Sequence, residues 1–364
     1  MLVIEPMPVH PAAVLTRGNF RHGSDEVIPH FRKITEAVQE EGALILQQLY
    51  HVGQHGDSDN SYHANWSPSG LPSYHDSDGS HAMNDAEIEE TIECFVQAAR
   101  RCRDAGFDGV EVWAAYHGIV DQFWTPWSNR RKDRWGGSLE NRMRFPLEIY
   151  RAIRDAVGPD YPVSIKLNSA DFQRGGFTEE ESMTVAETLA AEGLDLLEIS
   201  GGNYENPAMA GARGVRESTV KREAYFLDYA QAIRQRVSIP LMVTGGFRSA
   251  QAMAQAVESG ATDLVGIARP LAVEPDLANR ILAGQEGVIS RVTPRKTGIK
   301  MIDEMAMMEV SWFSRQLHRM GKGKDPKPDE SVLLSLFKVV TEMGIGSFKT
   351  RRSGVRSEGE ETFQ

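Results

Sequence analysis

The chain has 364 residues, of which 41% are hydrophobic and 25% charged, and its formal net charge is −11. This composition is typical of a globular enzyme, and the acidic balance argues against a nucleic-acid partner. No apolar run reaches the ~18 residues of a membrane span, and the N-terminus lacks the basic and apolar regions of a signal peptide. We therefore predict a cytoplasmic protein that acts on a small molecule, with no membrane partner; a homo-oligomer is left open.

Short apolar strands alternate with longer amphipathic helices along most of the chain. The predicted segments, in chain order, are strand Leu2–Ile4, helix Asp25–Glu41, strand Ala43–Leu46, helix Asp85–Ala105, strand Gly109–Val112, helix Leu139–Val157, strand Val163–Leu167, helix Thr178–Glu192, strand Leu196–Ile199, a helix near Arg222–Val237, strand Pro240–Val243, helix Ser249–Ser259 and strand Asp263–Ile267. This alternation predicts a parallel sheet with both faces covered by helices. Two further helices are predicted at Ile302–Met320 and Ser331–Met343, followed by a disordered tail.

The region from Gly109 to Leu147 is dense in aromatic side chains. An apolar strand there runs into a loop rich in Trp, Tyr and His, and Ser138 is a natural N-cap for the helix that follows. An aromatic loop at the carboxyl end of a strand is where an α/β barrel builds its active site. We therefore place the candidate substrate site in this loop.

Two glycine-containing segments follow the last two predicted strands. The first, VTGGFRSA at Val243–Ala250, has two glycines whose backbone N–H groups can approach an anion. The second, LVGIARPL at Leu264–Leu271, carries Arg269. A Gly-Gly pair alone is usually only a turn, but glycines and a cation after consecutive late strands form the phosphate site of many α/β barrels. The tandem therefore predicts a bound phosphate group.

Several segments resemble the old yellow enzyme family of NADH:flavin oxidoreductases. The runs DQFWTPWSNRR and WGGSLENRMRF, the segments LILQQLYHVG and VSIKLNSADF, and the two phosphate loops carry this resemblance over about residues 2–285. It implies a (β/α)8 TIM barrel that binds FMN and uses NADH or NADPH as the electron donor. The residues that it assigns to the cofactor are Gln48 at the flavin pyrimidine edge, Lys166 near flavin N1 and O2, and Gly245, Gly246, Ala268 and Arg269 at the phosphate.

The resemblance breaks at the N-terminus. The family's first strand has no counterpart, because Met1 begins at what resembles the second strand, and only seven strands are predicted. A barrel that lacks one strand leaves two unpaired edges. The expected fold is therefore an α/β TIM barrel at residues 1–290 without the usual first strand, followed by a C-terminal helical extension and disordered tail at residues 291–364.

A second break lies in the substrate loop. Relatives have a His-x-x-His or His-x-x-Asn pair that hydrogen-bonds a substrate oxygen, followed two residues later by a Tyr that protonates the substrate. Here Trp113 and Tyr116 occupy the pair positions and Gly118 replaces the Tyr, while a one-residue slip would bring in His117. The candidate catalytic residues are therefore Trp113, Tyr116 and His117. An aromatic pocket suits a cation or an amine better than an enone carbonyl.

These features predict an FMN-dependent oxidoreductase that passes a hydride from NAD(P)H through flavin N5 to an acceptor. A flavin-dependent amine dehydrogenase or demethylase is the first alternative, because of the aromatic loop. A flavin-free barrel that acts as a binding protein is the second, because the first strand and the usual donors are absent. No metal is predicted, since Cys94 and Cys102 cannot supply a four-cysteine iron–sulfur or zinc site.

Overall fold

The structure is a computed structural model of the chain. It describes residues 1–13, 23–56, 64–72, 79–201, 226–285, 287–290, 292, 295, 297–299 and 308–343. The predicted disordered tail and the first residues of the helix predicted near 222–237 lie outside these ranges.

Seven parallel strands form one sheet in the order β1-β2-β5-β6-β7-β8-β9. The strands are β1 (Leu2–Pro8), β2 (Ile45–Tyr50), β5 (Gly109–Ala114), β6 (Val163–Asn168), β7 (Leu196–Ser200), β8 (Leu241–Thr244) and β9 (Leu264–Gly266); β3 (Asn65–Ser67) and β4 (Ser80–Ala82) form a separate two-stranded sheet. Within the described residues, β1 and β9 are the two ends of the large sheet. The predicted parallel α/β architecture is confirmed.

Seven helices of the described residues lie between strands in the chain, and three more follow the last strand. They are α1 (Ile28–Glu40), α2 (Asp85–Asp104), α3 (Ile119–Trp124), α4 (Leu139–Val157), α5 (Glu179–Ala191), α6 (Leu227–Arg234), α7 (Ala250–Glu258), α8 (Leu277–Leu282), α9 (Met308–Met320) and α10 (Val332–Met343). Local capping explains where several of them begin. Asn84 and Glu87 form a capping box at α2, Thr178 and Glu181 form the predicted one at α5, and Ser138 caps α4 as predicted.

The main core lies between the sheet and these helices. Every residue of β2, β5 and β7 is buried, as expected for parallel strands covered on both faces. Most of these side chains are apolar, but a few polar ones, including Gln48, Glu111 and Glu198, are buried among them. Buried polar groups need hydrogen-bonding or ionic partners, so these positions indicate a candidate functional site within the sheet.

The C-terminal helices pack against the loop that follows the last strand. Helix α9 contributes to a small hydrophobic cluster formed by Trp312, Phe313, Ala272 and Val273. His318, at the other end of α9, is close enough to β1 to act on Glu5. Burial raises the pKa of Glu5, and His318 reverses part of that rise. Helix α9 therefore lies beside the turn that follows β9 and close to β1. Glu330, only 2% exposed at its side chain, joins α9 to α10 through Lys338 at 3.0 Å and Arg315 at 3.6 Å.

Two features of the substrate region were not predicted. Helix α3 lies within the aromatic loop, and all six of its residues are buried. A helix that is buried on every side has no apolar stripe, so its sequence lacks the usual periodic signal. The β3–β4 ladder is also short, with three residues in each strand, and its mixed polar sequence shows no alternation.

Candidate functional site

The interior residues of neighbouring strands lie at matching heights. In the sheet register, Trp113 on β5 pairs with Lys166 on β6, and Lys166 pairs with Glu198 on β7. Two residues before Trp113, Glu111 pairs with Gln48 on β2. Because side chains two residues apart in a strand share a face, these five side chains belong to one face of the sheet.

Lys166 is enclosed and ion-paired. Its ammonium contacts the carboxylate of Glu198, and only 13% of the Lys166 side chain and 4% of the Glu198 side chain are exposed. Burial by itself would lower the pKa of Lys166, but the negative charge of Glu198, followed by Tyr116 and Glu111, raises it above its ordinary value. Lys166 therefore stays charged at neutral pH, and Glu198 offsets part of that charge. Its contact with a flavin stays a prediction.

Gln48 and Glu111 extend this polar group. Gln48 Nε2 donates a hydrogen bond of 2.6 Å to Glu111 Oε1, and Ser164 Oγ donates one of 3.2 Å to Glu111 Oε2. Glu111 is completely buried. Burial, followed by the repulsion of Glu198, raises the pKa of Glu111 well above its usual range. The predicted hydrogen bond between Gln48 and the flavin would therefore form while Gln48 also donates to Glu111.

An aromatic cluster stands at the carboxyl ends of β2 and β5. The ring centroids of Tyr50 and Trp113 are 4.5 Å apart, and those of Trp113 and Tyr116 are 6.4 Å apart. Tyr116 is partly exposed, whereas Trp113 is only 7% exposed. Ser200, the last residue of β7, donates a hydrogen bond of 2.7 Å to the phenolic oxygen of Tyr116. Because that oxygen accepts the bond, the phenolic hydrogen is left to be donated elsewhere.

His117 packs inside the same loop. Tyr116 and His117 have positive φ angles of 50° and 58°, which cost roughly 1–3 kcal/mol each for residues other than glycine. His117 is completely buried, with Nδ1 3.4 Å from His55 Nε2 and its ring stacked on Trp127. Burial lowers the pKa of His117 to about 4, so the ring is neutral at pH 7. The structure thus separates two predicted catalytic residues that are adjacent in the chain.

Buried aspartates anchor this loop to the end of β6. Asp121 Oδ2 accepts hydrogen bonds from the His117 backbone at 2.7 Å and from Asn168 at 3.1 Å, and its Oδ1 accepts one from Trp124 at 2.8 Å. Among the described residues, His117, Asp121 and Asp171 place one potential metal-ligand atom each within 4.8 Å of one another. Both oxygens of Asp121 already accept hydrogen bonds, so we interpret the group as an anchoring network.

The two predicted phosphate loops leave the sheet side by side. Thr244, the last residue of β8, pairs with Gly266, the last residue of β9. Gly245 and Gly246 follow the first strand directly, and Arg269 lies three residues beyond the second. Both loops therefore start at the carboxyl ends of the strands, where Trp113 and Tyr116 also lie.

The conformation of these loops fits a phosphate group. Gly245 and Gly246 have φ angles of 125° and 83°, which residues with a side chain rarely adopt. A Cβ atom at Gly245 would also lie 3.2 Å from the ring of Phe226. Ala268 and Arg269 are exposed, and Arg269 begins a short 3-10 turn. Accessible backbone N–H groups beside a cation are suitable donors for the phosphate of FMN.

Two residues of the site were missed in the sequence. Glu198 lies within the apolar strand LLEIS, and Ser200 ends that strand. A charged residue inside a strand buried on both faces signals a buried partner, so Glu198 carried a usable signal. Ser200 carried none, because its partner Tyr116 is identified only by the arrangement of β5 and β7.

The sequence profile of the NADH:flavin oxidoreductase / NADH oxidase family matches residues 1–287. The chain belongs to this family. The resemblance found in the motifs is therefore confirmed, and FMN is the cofactor of the family.

Individual relatives agree with this assignment. An NADH oxidase of Thermoanaerobacter brockii is 32% identical over 296 residues, which are 80% of this chain and 44% of that protein. The solved histamine dehydrogenase of Rhizobium sp. 4-9 is 30% identical with a TM-score of 0.71, over 78% of this chain and 41% of that one. A solved old yellow enzyme homologue of Zymomonas mobilis, 23% identical, has a TM-score of 0.66 over 80% of this chain and 81% of that one, which supports the fold alone.

The chain spans less than half the length of some curated relatives, 38% of one and 44% of another. The activity of such a longer relative therefore passes to this chain only as a proposal. In the part of the chain that the structure describes, no helix is both long and apolar enough to cross a membrane.

Proposed function

We propose that this protein is an FMN-dependent oxidoreductase that takes a hydride from NADH or NADPH and passes it to a small-molecule acceptor. The observation that carries the proposal is the family match over residues 1–287. It agrees with the structure, in which the phosphate loops and the aromatic cluster both lie at the carboxyl ends of the strands. Bound FMN would supply the hydride chemistry, and the protein would supply binding, orientation and electrostatics. We also propose a cytoplasmic location and no nucleic-acid partner, on the grounds of composition.

Residues of two strands and of the loops after two others would hold the cofactor. The phosphate would bind to the backbone N–H groups of Gly245 and Gly246, the chain at Ala268 and the guanidinium of Arg269. These residues follow the carboxyl ends of paired strands, and Ala268 and Arg269 are exposed. Gln48 would hydrogen-bond the pyrimidine edge through the part of its amide that Glu111 does not use. Lys166 would place a positive charge near N1 and O2, reduced by its pairing with Glu198.

We assign proton delivery to Tyr116 in preference to His117. Tyr116 is partly exposed at the strand ends, and its oxygen accepts a bond from Ser200, so its hydrogen can be given to a substrate. His117 is completely buried and neutral at pH 7, and the remaining N–H of a neutral imidazole is too weak an acid to protonate a substrate. Trp113 would form the apolar wall of the substrate pocket.

The cofactor assignment is tested on the purified protein by its absorbance spectrum and by anaerobic mixing with NADH or NADPH. We expect flavin bands that one of the two nucleotides bleaches. Arg269→Ala should lose FMN on dilution, because a charge-assisted hydrogen bond is worth roughly 1.5–3 kcal/mol. Exposed Lys33→Ala is the matched control and should keep it. A colourless wild-type protein that takes up no added FMN would overturn the proposal and favour a flavin-free binding protein.

Oxidation of an amine is the second candidate function. The cluster of Tyr50, Trp113 and Tyr116 offers aromatic faces, which attract cations, where most relatives have carbonyl-binding side chains. The similarity to a histamine dehydrogenase points in the same direction. Anaerobic bleaching by a tertiary or primary amine, without bleaching by NADH or NADPH, would decide for this candidate.

We further propose that residues 1–290 form the FMN-binding unit and residues 291–364 a helical extension. The hydrophobic cluster between α9 and the turn at 269–272 supports the view that the extension packs on the barrel and does not fold apart from it.

A further inference from the structure

Three titratable side chains meet inside the sheet beneath the proposed flavin site. Glu111 on β5, Lys166 on β6 and Glu198 on β7 come from consecutive strands, and each is largely or completely enclosed. The ammonium of Lys166 contacts Glu198, and the carboxyl groups of Glu198 and Glu111 are close enough to shift each other's pKa. One positive charge therefore faces two acidic groups in an environment with little water.

A hydrogen bond between the two neighbouring carboxyl groups would require a proton. An ionised carboxylate can only accept hydrogen bonds, so two ionised carboxylates have nothing to share. Glu198 is the group in direct contact with Lys166, and Thr244 also helps to lower its pKa. Within the described residues, the hydrogen bonds of Glu111 are to the neutral side chains of Gln48 and Ser164, and the charge of Lys166 acts on it less strongly than burial and Glu198 do. The proton therefore belongs on Glu111, and the charges of Lys166 and Glu198 then balance.

We propose that Glu111 is a neutral acid that donates a hydrogen bond to the Glu198 carboxylate, and that Glu198, held in this way, offsets the charge of Lys166 and so sets the reduction potential of the bound flavin. The proposal rests on the proposed function, because it needs FMN beside Lys166. It makes Glu111 and Glu198 positioning residues, since both act on the flavin through Lys166.

The directions of the pKa shifts agree with this assignment. Burial and then Glu198 raise the pKa of Glu111 well above its usual range. Burial would also raise the pKa of Glu198, but the charge of Lys166 overcomes it and leaves that pKa lowered. Among the described residues, the titratable groups that act on Lys166 are Glu198, Tyr116 and Glu111, so the local charge balance depends on side chains of β5 and β7 and of the loop after β5.

The consequence concerns the potential of the cofactor. Hydride transfer to FMN adds negative charge to the ring system, and a nearby cation favours that product. A solitary Lys166 would favour it strongly. Glu198 weakens the effect, whereas a neutral Glu111 adds no charge of its own. Removal of the Glu198 charge should therefore raise the potential, and removal of the Lys166 charge should lower it.

A matched pair of substitutions separates the roles of the two acids. Glu111→Gln replaces a neutral acid by a neutral amide that can still donate to Glu198, so the midpoint potential of the holoprotein should stay near that of wild type. Glu198→Gln removes a negative charge and should raise it. A tenfold change in the ratio of reduced to oxidised flavin, about 30 mV for this two-electron couple, is the scale expected. Equal rises in both variants would overturn the proposal, because both acids would then be ionised.

A double variant covers the case in which Glu198→Gln fails to fold with Lys166 unpaired. Lys166→Met combined with Glu198→Gln removes one positive and one negative charge, so the flavin potential of the double variant should lie near that of wild type. Lys166→Met alone should lower the flavin potential. A double variant that shifts as far as Lys166→Met alone would overturn the role of Glu198.

Infrared spectroscopy separates a failure of this proposal from a failure of the proposed function. The flavin-free protein should show the C=O stretch of a protonated Glu111 as a band that is present in wild type and missing from Glu111→Gln in the difference spectrum of the two, which cancels the bands of other buried acids such as Asp121 and Asp171. Absence of that band from the wild type overturns the neutral Glu111 whether or not FMN binds. Presence of the band with unshifted potentials in every variant overturns the coupling to the flavin. Failure to bind FMN at all contradicts the proposed function and, with it, the link to the potential.

Discussion

Two adjacent residues of the substrate loop have opposite environments. Tyr116 points toward Ser200 and Lys166 at the strand ends, whereas His117 packs against Trp127 in the interior. Both have positive φ angles, so the chain turns sharply between them. The loop therefore presents one possible acid to the pocket and encloses the other.

The first prediction concerns that acid. Tyr116→Phe should slow reduction of the acceptor by roughly 10²–10⁴-fold, because a positioned general acid contributes on that scale. Flavin reduction by the nicotinamide needs no such acid and should change little. Stopped-flow measurement of the two half-reactions separately is the test. His117→Asn is the neighbouring control and should leave both rates near those of wild type; a large loss of acceptor reduction in His117→Asn with none in Tyr116→Phe would reverse the assignment.

The second prediction concerns acid stability. The pKa of His117 is lowered to about 4 in the folded protein, below its ordinary value near 6.5. The unfolded state therefore binds the proton first, and the contribution of His117 to stability is lost as the pH falls from about 6.5 to 4. His117→Asn, which suits left-handed backbone, should remove up to about 3 kcal/mol of this loss.

Asp171 has the opposite effect on the pH dependence of stability, over nearly the same pH range. Burial raises its pKa to about 6, so the folded protein binds that proton first and the contribution of Asp171 to stability grows as the pH falls. The informative measurement is therefore the difference between the melting temperatures of wild type and His117→Asn at each pH. Exposed His30→Gln serves as the control. A difference that is the same at pH 4 and pH 7 would contradict the buried, neutral His117.

At the scale of elements, helix α9 lies beside the turn that follows β9 and close to β1. Its Trp312 is 1% exposed and packs near the turn that follows β9, and its His318 interacts with Glu5 of β1. An open parallel sheet exposes edge groups that tend to pair with other chains. We infer that α9 contributes to the stability of the sheet as well as to that of the C-terminal extension.

The third prediction follows from this packing. Trp312→Ala should reduce the free energy of unfolding by about 3–5 kcal/mol, the range for a large aromatic residue removed from a core. Phe337→Ala on α10 is the matched control, because Phe337 is 65% exposed, and it should have a small effect. Chemical denaturation followed by circular dichroism measures both. A second, separate transition that alone moves in Trp312→Ala would mean that the extension unfolds independently of the barrel.

At the scale of the whole molecule, the cofactor should stabilise the fold. The proposed ligands of FMN lie on β2 and β6 and in the loops after β8 and β9, which together span most of the sheet. A ligand that binds only the folded state stabilises it by mass action, about 2.7 kcal/mol at a concentration one hundred times its dissociation constant.

The fourth prediction uses this linkage. FMN added to the flavin-free protein should raise its melting temperature more than riboflavin does, because only FMN carries the phosphate. Arg269→Ala should remove most of that difference, whereas Lys33→Ala should keep it. Equal shifts with FMN and riboflavin in the wild type would show that Gly245, Gly246 and Arg269 do not form a phosphate site.

Features that depend on short stretches of chain were predictable from the sequence. The order of strands and helices follows from apolar periodicity, and the starts of α4 and α5 follow from Ser138 and Thr178, which cap the helices directly after them. The two phosphate loops were recognisable because each follows its strand at once. The family was recognisable for the same reason, since its motifs are contiguous segments.

Features that depend on the arrangement of distant strands were decided only by the tertiary structure. The pairing of Lys166 with Glu198 and the bond from Ser200 to Tyr116 depend on the register of β5, β6 and β7. The enclosure of His117 depends on the sign of two φ angles in one loop. Sequence periodicity determined which residues face inward, but the charge that each inward residue meets is set by strands far away in the chain, and that charge decides which groups hold protons.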